Sequence, residues 1–219
     1  MGDSNSKKNN NSYTLFVIGT YLLIFVLWFA KILIFDGFIN NMTEWGKALA
    51  NSFFKCIILI PIPYLLIKNK KVEVSLKEMF TTKINFDIFG PIAAAFVVKC
   101  IVEMFSRFGG LQISDNFHPS DLLVSFLLVG ITEELLFRGW IYNALLTCMS
   151  ENGALILQAL LFTSLHFPVY IMSGVIFSMN YVLLFILGVI FGWTFRKNRS
   201  IWTPIILHMM WDLAMLLVM

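Results

Sequence analysis

Charge is what this chain is short of. Of its 219 residues only 13% are Asp, Glu, Lys or Arg, while 58% are hydrophobic and 22 are Phe. Mean hydropathy is +0.80. Soluble domains carry about 25% charged residues, so the composition excludes an ordinary soluble fold and indicates an integral membrane protein. The net charge of +3 is too small for an electrostatic footprint on nucleic acid, and no nucleic-acid partner is expected. Cysteine is equally scarce. Cys56, Cys100 and Cys148 lie far apart with no CxxC spacing, which excludes a disulfide framework and a thiolate zinc site; they read as small buried hydrophobes. There is no low-complexity tract, no internal repeat and no soluble domain.

About 20 apolar residues cross the hydrocarbon core as a helix. By that measure the sequence predicts an all-α, polytopic helical bundle with about seven transmembrane helices, near 13–35, 46–67, 87–106, 121–147, 153–167, 174–195 and 201–218. Residues 1–12 are polar and read as a disordered tail, leaving 13–219 as a single transmembrane domain. The first apolar stretch is too long for a signal-peptide core and lacks a small-residue cleavage site. Between the second and third spans, Val72, Leu76, Met79 and Phe80 recur at helical spacing among lysines. That suits an interfacial amphipathic helix, and a solvated loop is the alternative. Lys7, Lys8, the 68–83 segment and Arg196-Lys197-Asn198-Arg199 fall on one side of this layout. The positive-inside rule therefore puts the amino terminus in the cytoplasm.

Against this background, Ile131-Thr132-Glu133-Glu134-Leu135-Leu136-Phe137-Arg138 is an energetic anomaly. A charge at the centre of a spanning helix costs about 2.5–3.5 kcal/mol on insertion scales, and such residues normally face a protein interior or a watery cavity. Glu134 and Arg138 are four apart and can pair on one face. Glu133 is turned by about 100° and has no local partner, which leaves it free to act as a general base. Other spans add His166, four residues after Phe162, and the pair His208 and Asp212, also four apart. Lys31, Lys55, Lys99 and Glu103 sit near the ends of earlier spans, where long side chains snorkel to the interface. His118 precedes Pro119 in a loop and reads as unrelated.

The order Glu133-Glu134-x-x-x-Arg138, Phe162-x-x-x-His166, His208-x-x-x-Asp212 resembles the CPBP intramembrane proteases, which group CAAX prenyl endopeptidases with bacterial bacteriocin-processing and self-immunity (Abi) proteins. Leu187-Gly188-x-x-x-Gly192-Trp193 and Trp202-x-Pro204 are similar to the family's approach to its last motif. The resemblance covers about 120–219. It implies that Glu133 and His166 activate a water, that His208 and residue 212 stabilise the oxyanion, and that Glu134 and Arg138 support the site. Asp212 departs from the Asn that many members carry. An ionised carboxylate cannot donate to an oxyanion, so Asp212 better suits orienting His208 or binding a metal.

A metal-free, glutamate-dependent mechanism with no cofactor is favoured. Zinc held by Glu133, His166, His208 and Asp212 is the alternative, although no HExxH is present. Three functions stay open. An intramembrane endopeptidase acting on a peptide or membrane-anchored substrate comes first, with a role in bacteriocin processing or self-immunity. A non-catalytic immunity or sensor protein on the same fold comes second. A small transporter ranks last, since matched broken helices are not evident. The lipid bilayer is the common partner. The expected location is a bacterial plasma membrane, and a prenylated substrate is the less favoured choice. For His166 and His208 to meet, the fifth span must stop inside the membrane, which Pro168 and Ser173-Gly174 favour.

Overall fold

The computed structural model describes residues 2–175 and 178–218, with the side chains of 2–9 and 125–126 left undescribed. Among these residues the chain is helical and has no strand. Helix α1 (Gly2–Ile39) is followed by α2 (Glu44–Leu59), α3 (Pro61–Asn69), α4 (Leu76–Thr81) and α5 (Phe86–Phe108). A long helical stretch then alternates between two windings: a π segment Leu122–Leu128, α6 (Val129–Glu134), a π segment Leu135–Tyr142, and α7 (Asn143–Leu145). The chain closes with α8 (Glu151–Ser164), α9 (Phe167–Met172), α10 (Met179–Asn198) and α11 (Trp202–Val218).

Five helices, at Asn10–Ile39, Glu44–Asn69, Phe86–Phe108, Glu151–Met172 and Met179–Asn198, are long and apolar enough to cross a membrane. Trp202–Val218 is apolar but shorter. The stretch from 122 to 145 is broken by its π segments and does not form one regular helix. An all-α membrane bundle is therefore the fold, with five such helices among the described residues. Helix α1 begins at Gly2. Residue 1, residues 176–177 of the span expected at 174–195, and residue 219 lie outside the described residues.

Side-chain exposure follows from the solvent being lipid. Helix α1 buries Val17, Tyr21, Ile24, Trp28 and Ile32, spaced three or four apart on one face, and exposes Leu22, Leu23, Val26, Leu33 and Ile34 on another. Helix α5 exposes Val97, Val98, Ile101, Val102 and Phe105 in the same way. Such apolar faces are aggregation surfaces in water and contact surfaces in a bilayer. The inward stripe of α1 packs on Phe137, Trp140, Ile141 and Ala144, which joins the first helix to the charged stretch.

Polar ties pin the remaining pieces. The Asn143 side chain donates to the Val74 carbonyl and accepts from the Val74 amide, both at 2.7 Å, fixing the connection before α4. Helix α4 is a short docked element, with Met79 fully buried. Ile201 donates its amide to the Met79 carbonyl at 2.9 Å, and the Trp202 indole donates to the Phe80 carbonyl at 3.0 Å. The amphipathic segment thus lies against the start of α11. Arg199 ends α10 in the left-handed region (φ 55°) and places its guanidinium 2.7 Å from Glu78. That contact holds the Glu78 carboxyl below the usual carboxylate range. Whatever the exposed pair adds to stability is complete above the ordinary glutamate pKa and is lost as pH falls through the lowered one.

Small residues set the closest helix approach. A Cβ on Gly188 would lie 3.0 Å from the Cα of Ala159, and one on Gly192 would lie 2.6 Å from Gln158 Nε2. The Gly188-x-x-x-Gly192 spacing is therefore the seam between α10 and α8. Gly188→Leu should lower stability by about 1–3 kcal/mol in detergent, as overpacking does. Gly90→Ala, where a Cβ meets nothing within 4 Å, should leave the thermal melting point unchanged or slightly raised. Equal melting of the two variants would contradict the seam.

Candidate active site

The charged stretch lies in the interior. Glu134 and Arg138 are fully buried and Glu133 is 4% exposed. Gly130 explains how the stretch approaches the last helix: a Cβ there would sit 2.7 Å from Met209 Cγ and 3.0 Å from the Ile205 carbonyl oxygen. One turn further along each helix, Glu134 meets His208. The winding changes from α to π immediately after Glu134. Such segments are rare and occur frequently at functional sites.

Glu134 is the hub. Its Oε1 accepts from Arg138 Nη1 at 2.8 Å and from His208 Nδ1 at 2.7 Å. The local pairing expected from the i, i+4 spacing is present. Arg138 also donates through Nη2 to the Gly188 carbonyl at 3.0 Å, and that carbonyl takes a second bond from Gln158 Nε2 at 2.8 Å. The guanidinium lies over Phe162 at 4.7 Å and over Phe191 at 5.3 Å. Phe191 also stacks on the His208 ring at 5.1 Å. Arg138 thereby draws α8 and α10 toward the charged stretch.

The two histidines present one free nitrogen each. His166 Nδ1 lies 3.0 Å from the Phe162 carbonyl, which can only accept, so Nδ1 carries the proton and Nε2 offers a lone pair. His208 gives Nδ1–H to Glu134 and keeps Nε2. Asp212 Oδ2 is 3.6 Å from that Nε2, beyond hydrogen-bonding range. The side-chain hydrogen bond that His208 makes is thus to Glu134 and not to Asp212. Phe162 lies between the two imidazoles, with ring centroids 5.2 Å from His166 and 5.8 Å from His208. Helix α8 ends at Ser164 and α9 begins at Phe167, with His166 at the junction. The 168–173 segment is thus a short helix, and it contributes Val169 to the cavity wall.

Glu133 departs most from expectation. Its Oε1 accepts from Lys55 Nζ at 2.9 Å, although the sequence gives it no local partner. Lys55 is 8% exposed and does not snorkel. Neither does Lys31, which donates to Asp36 at 2.5 Å and to Asn51 at 2.6 Å. The reason is geometric: a pair separated by 78 residues is invisible to helical spacing. A signal was nevertheless present, because Lys55 stands within Phe53-Phe54-Lys55-Cys56-Ile57-Ile58, the same anomaly as the charged stretch. Gln158 carried a comparable signal, a lone amide inside an apolar helix. Glu133 Oε2 is buried and has no hydrogen-bond partner among the described residues.

Glu133, His166, His208 and Asp212 line one cavity of about 480 Å³, together with Lys55 and Lys31. Its walls are apolar, formed in part by Trp28, Leu184, Leu187 and Trp211. All four expected site residues are thus brought together, and Glu134 and Arg138 stand behind them. His118 is apart, bonded to Ser120 at 2.7 Å. Among the described residues no three of His, Cys, Asp and Glu are grouped as metal ligands.

A helical membrane protein with carboxylates and imidazoles converging on one apolar-walled cavity has the parts of an intramembrane hydrolase. Residues 116–214 match the sequence model of a family described as type II CAAX prenyl endopeptidase, Rce1-like. Over that region, somewhat under half of its length, the chain is similar to the CAAX-type intramembrane proteases. No curated protein and no solved structure matches significantly.

Removing one member of the Glu134–Arg138 pair should leave an uncompensated buried charge. Arg138→Met should therefore cost about 3–5 kcal/mol in detergent unfolding. Glu134→Met combined with Arg138→Met should recover a large part of that loss. A single-variant cost under about 1 kcal/mol, within the range of exposed pairs, would contradict a buried ion pair.

Proposed function

We propose that the protein is an intramembrane endopeptidase in which Glu133 and His166 activate a water against a peptide bond. The observation that carries this is that Glu133, whose buried Oε2 has no hydrogen-bond partner among the described residues, lines the same cavity as His166 and His208. A water there loses its proton to Glu133 Oε2 as its oxygen bonds to the substrate carbonyl carbon. The water's other O–H stays intact and donates a hydrogen bond to His166 Nε2, which orients the attack. The carbonyl π pair moves to oxygen, and His208, as an imidazolium that gives Nδ1–H to Glu134, donates Nε2–H to the resulting oxyanion. Collapse of the tetrahedral intermediate breaks the C–N bond, and Glu133 returns the proton to the departing amine. Glu134 and Arg138 keep the His208 ring in place. Asp212 lines the cavity beside His208 as a further acceptor. Neither metal nor cofactor takes part in these steps.

The apolar walls suit a hydrophobic peptide or the membrane-proximal end of an anchored one. We assign the protein to a bacterial plasma membrane, amino terminus inside, where it processes a bacteriocin-like or signalling peptide or protects against one. A prenylated peptide is the alternative substrate. A second, non-catalytic function as an immunity or sensor protein is favoured by one observation, the Lys55 ammonium already seated on Glu133.

A panel of quenched-fluorescence hydrophobic peptides, unmodified and farnesylated, separates these functions when given to the purified full chain. The wild type should cleave a subset of the panel, and Glu133→Gln should reduce kcat at least about 10³-fold with unchanged melting, while a chelator should have no effect. Cleavage retained by Glu133→Gln would refute Glu133 as the base. Loss of cleavage with chelator, restored by zinc, would refute the metal-free mechanism.

A further inference from the structure

We infer that Lys55, a residue outside the matched 116–214 region, is a catalytic residue: its ammonium anchors Oε1 of Glu133 at rest and supplies the positive charge that stabilises the oxyanion. This rests on the hydrolytic function proposed above and adds a group to the same site.

The positive charges near the cavity are not equivalent. Arg138 is committed to Glu134 and to the Gly188 carbonyl. Lys31 is committed to Asp36 and Asn51. Lys55 spends one of its three N–H donors on Glu133 Oε1 and lies over the Trp28 ring at 5.2 Å. An ammonium has two further donors, and Lys55 lines the cavity into which they can point. Its position is fixed by burial on α2, so no reorganisation is needed when negative charge develops.

The oxyanion needs such a donor. Asp212, as a carboxylate, only accepts. His208 has one nitrogen committed to Glu134 and can offer a single N–H from the other. Charge conservation then gives Lys55 a defined place in the reaction. Before attack, the ammonium and the Glu133 carboxylate sum to zero. When water's proton passes to Glu133 Oε2 and its oxygen bonds to the carbonyl carbon, Glu133 becomes neutral and the carbonyl oxygen takes the negative charge. The ammonium stays and the sum remains zero, so the negative charge moves from one partner of Lys55 to another. Collapse reverses this as the C–N bond breaks and Glu133 gives its proton to the amine. Attraction to a fixed cation is strong in a water-poor cavity, and it falls on the intermediate as well as on the resting carboxylate. The charged groups facing Lys55 and Glu133 from the packed helices are Asp212 and His208 on α11, His166 after α8, and Glu134 with Arg138 on the charged stretch itself.

Lys55→Met, Lys55→Gln and Lys55→Arg, purified full-length in detergent, are compared with wild type on a peptide from the panel that the wild type cleaves. Lys55→Met and Lys55→Gln should lower kcat by about 10²–10³-fold, as loss of one oxyanion donor does, with KM within about threefold. Lys55→Arg should keep kcat within about tenfold of wild type by restoring a cation. Melting temperatures identify any variant that loses activity by misfolding, and Lys55→Gln, which keeps a polar head, guards against that outcome for Lys55→Met. Folded Lys55→Met or Lys55→Gln with kcat within about threefold of wild type overturns the inference, as does Lys55→Arg no more active than Lys55→Met. Either result leaves the proposed function standing if Glu133→Gln is inactive. A wild type that cleaves no peptide of the panel overturns the function and the inference together.

Discussion

Glu134 bonded at once to Arg138 and His208 is the constraint on which the rest of the structure depends. Three groups that are costly in hydrocarbon are gathered around one carboxylate oxygen, at 2.8 Å and 2.7 Å. None could be buried alone at tolerable cost. Satisfying them dictates the neighbours: a glycine at 130 so that α11 can approach, the Gly188 carbonyl to take the second guanidinium bond, and Phe162 and Phe191 to cover its faces. The packing of the carboxyl-terminal helices follows from the need to keep one guanidinium solvated by protein.

That arrangement leaves the next residue, Glu133, on the cavity side. The two adjacent glutamates acquire different roles from one helical rotation. Each has one bonded oxygen and one without a partner; what separates them is that Glu134 takes an arginine and a histidine on Oε1, whereas Glu133 takes Lys55 and lines the cavity. The cavity wall opposite comes from α1 and α2, whose lysines supply the balancing charge. The amino-terminal helices are in this sense part of the site, although their sequence reads as generic spans.

Much of this was legible in the sequence because membrane insertion makes each buried charge conspicuous. Glu133, Glu134, Arg138, His166, His208 and Asp212 all stand out from apolar runs, and helical spacing paired Glu134 with Arg138. Spacing could not find partners on other helices. His208 pairs with Glu134 rather than with Asp212 four residues on, and Glu133 with Lys55 rather than with nothing. Lys31 and Lys55 were placed at the interface because long cationic side chains can snorkel, whereas local carboxylate and amide partners hold them inside. The winding of the 121–147 span was not legible for a different reason. Hydropathy measures length and not winding, and it does not register the π segments around Glu133 and Glu134.

The central claim is that a water activated by Glu133 attacks the peptide carbonyl directly. A single turnover in H₂¹⁸O, followed by mass spectrometry of both product and enzyme, tests it without reference to the identity of the substrate's owner. Direct attack predicts one ¹⁸O in the new carboxyl terminus of the product and none in the Glu133 side chain. An unlabelled product carboxylate with ¹⁸O in Glu133 would instead mean that the glutamate is itself the nucleophile, and would contradict the account.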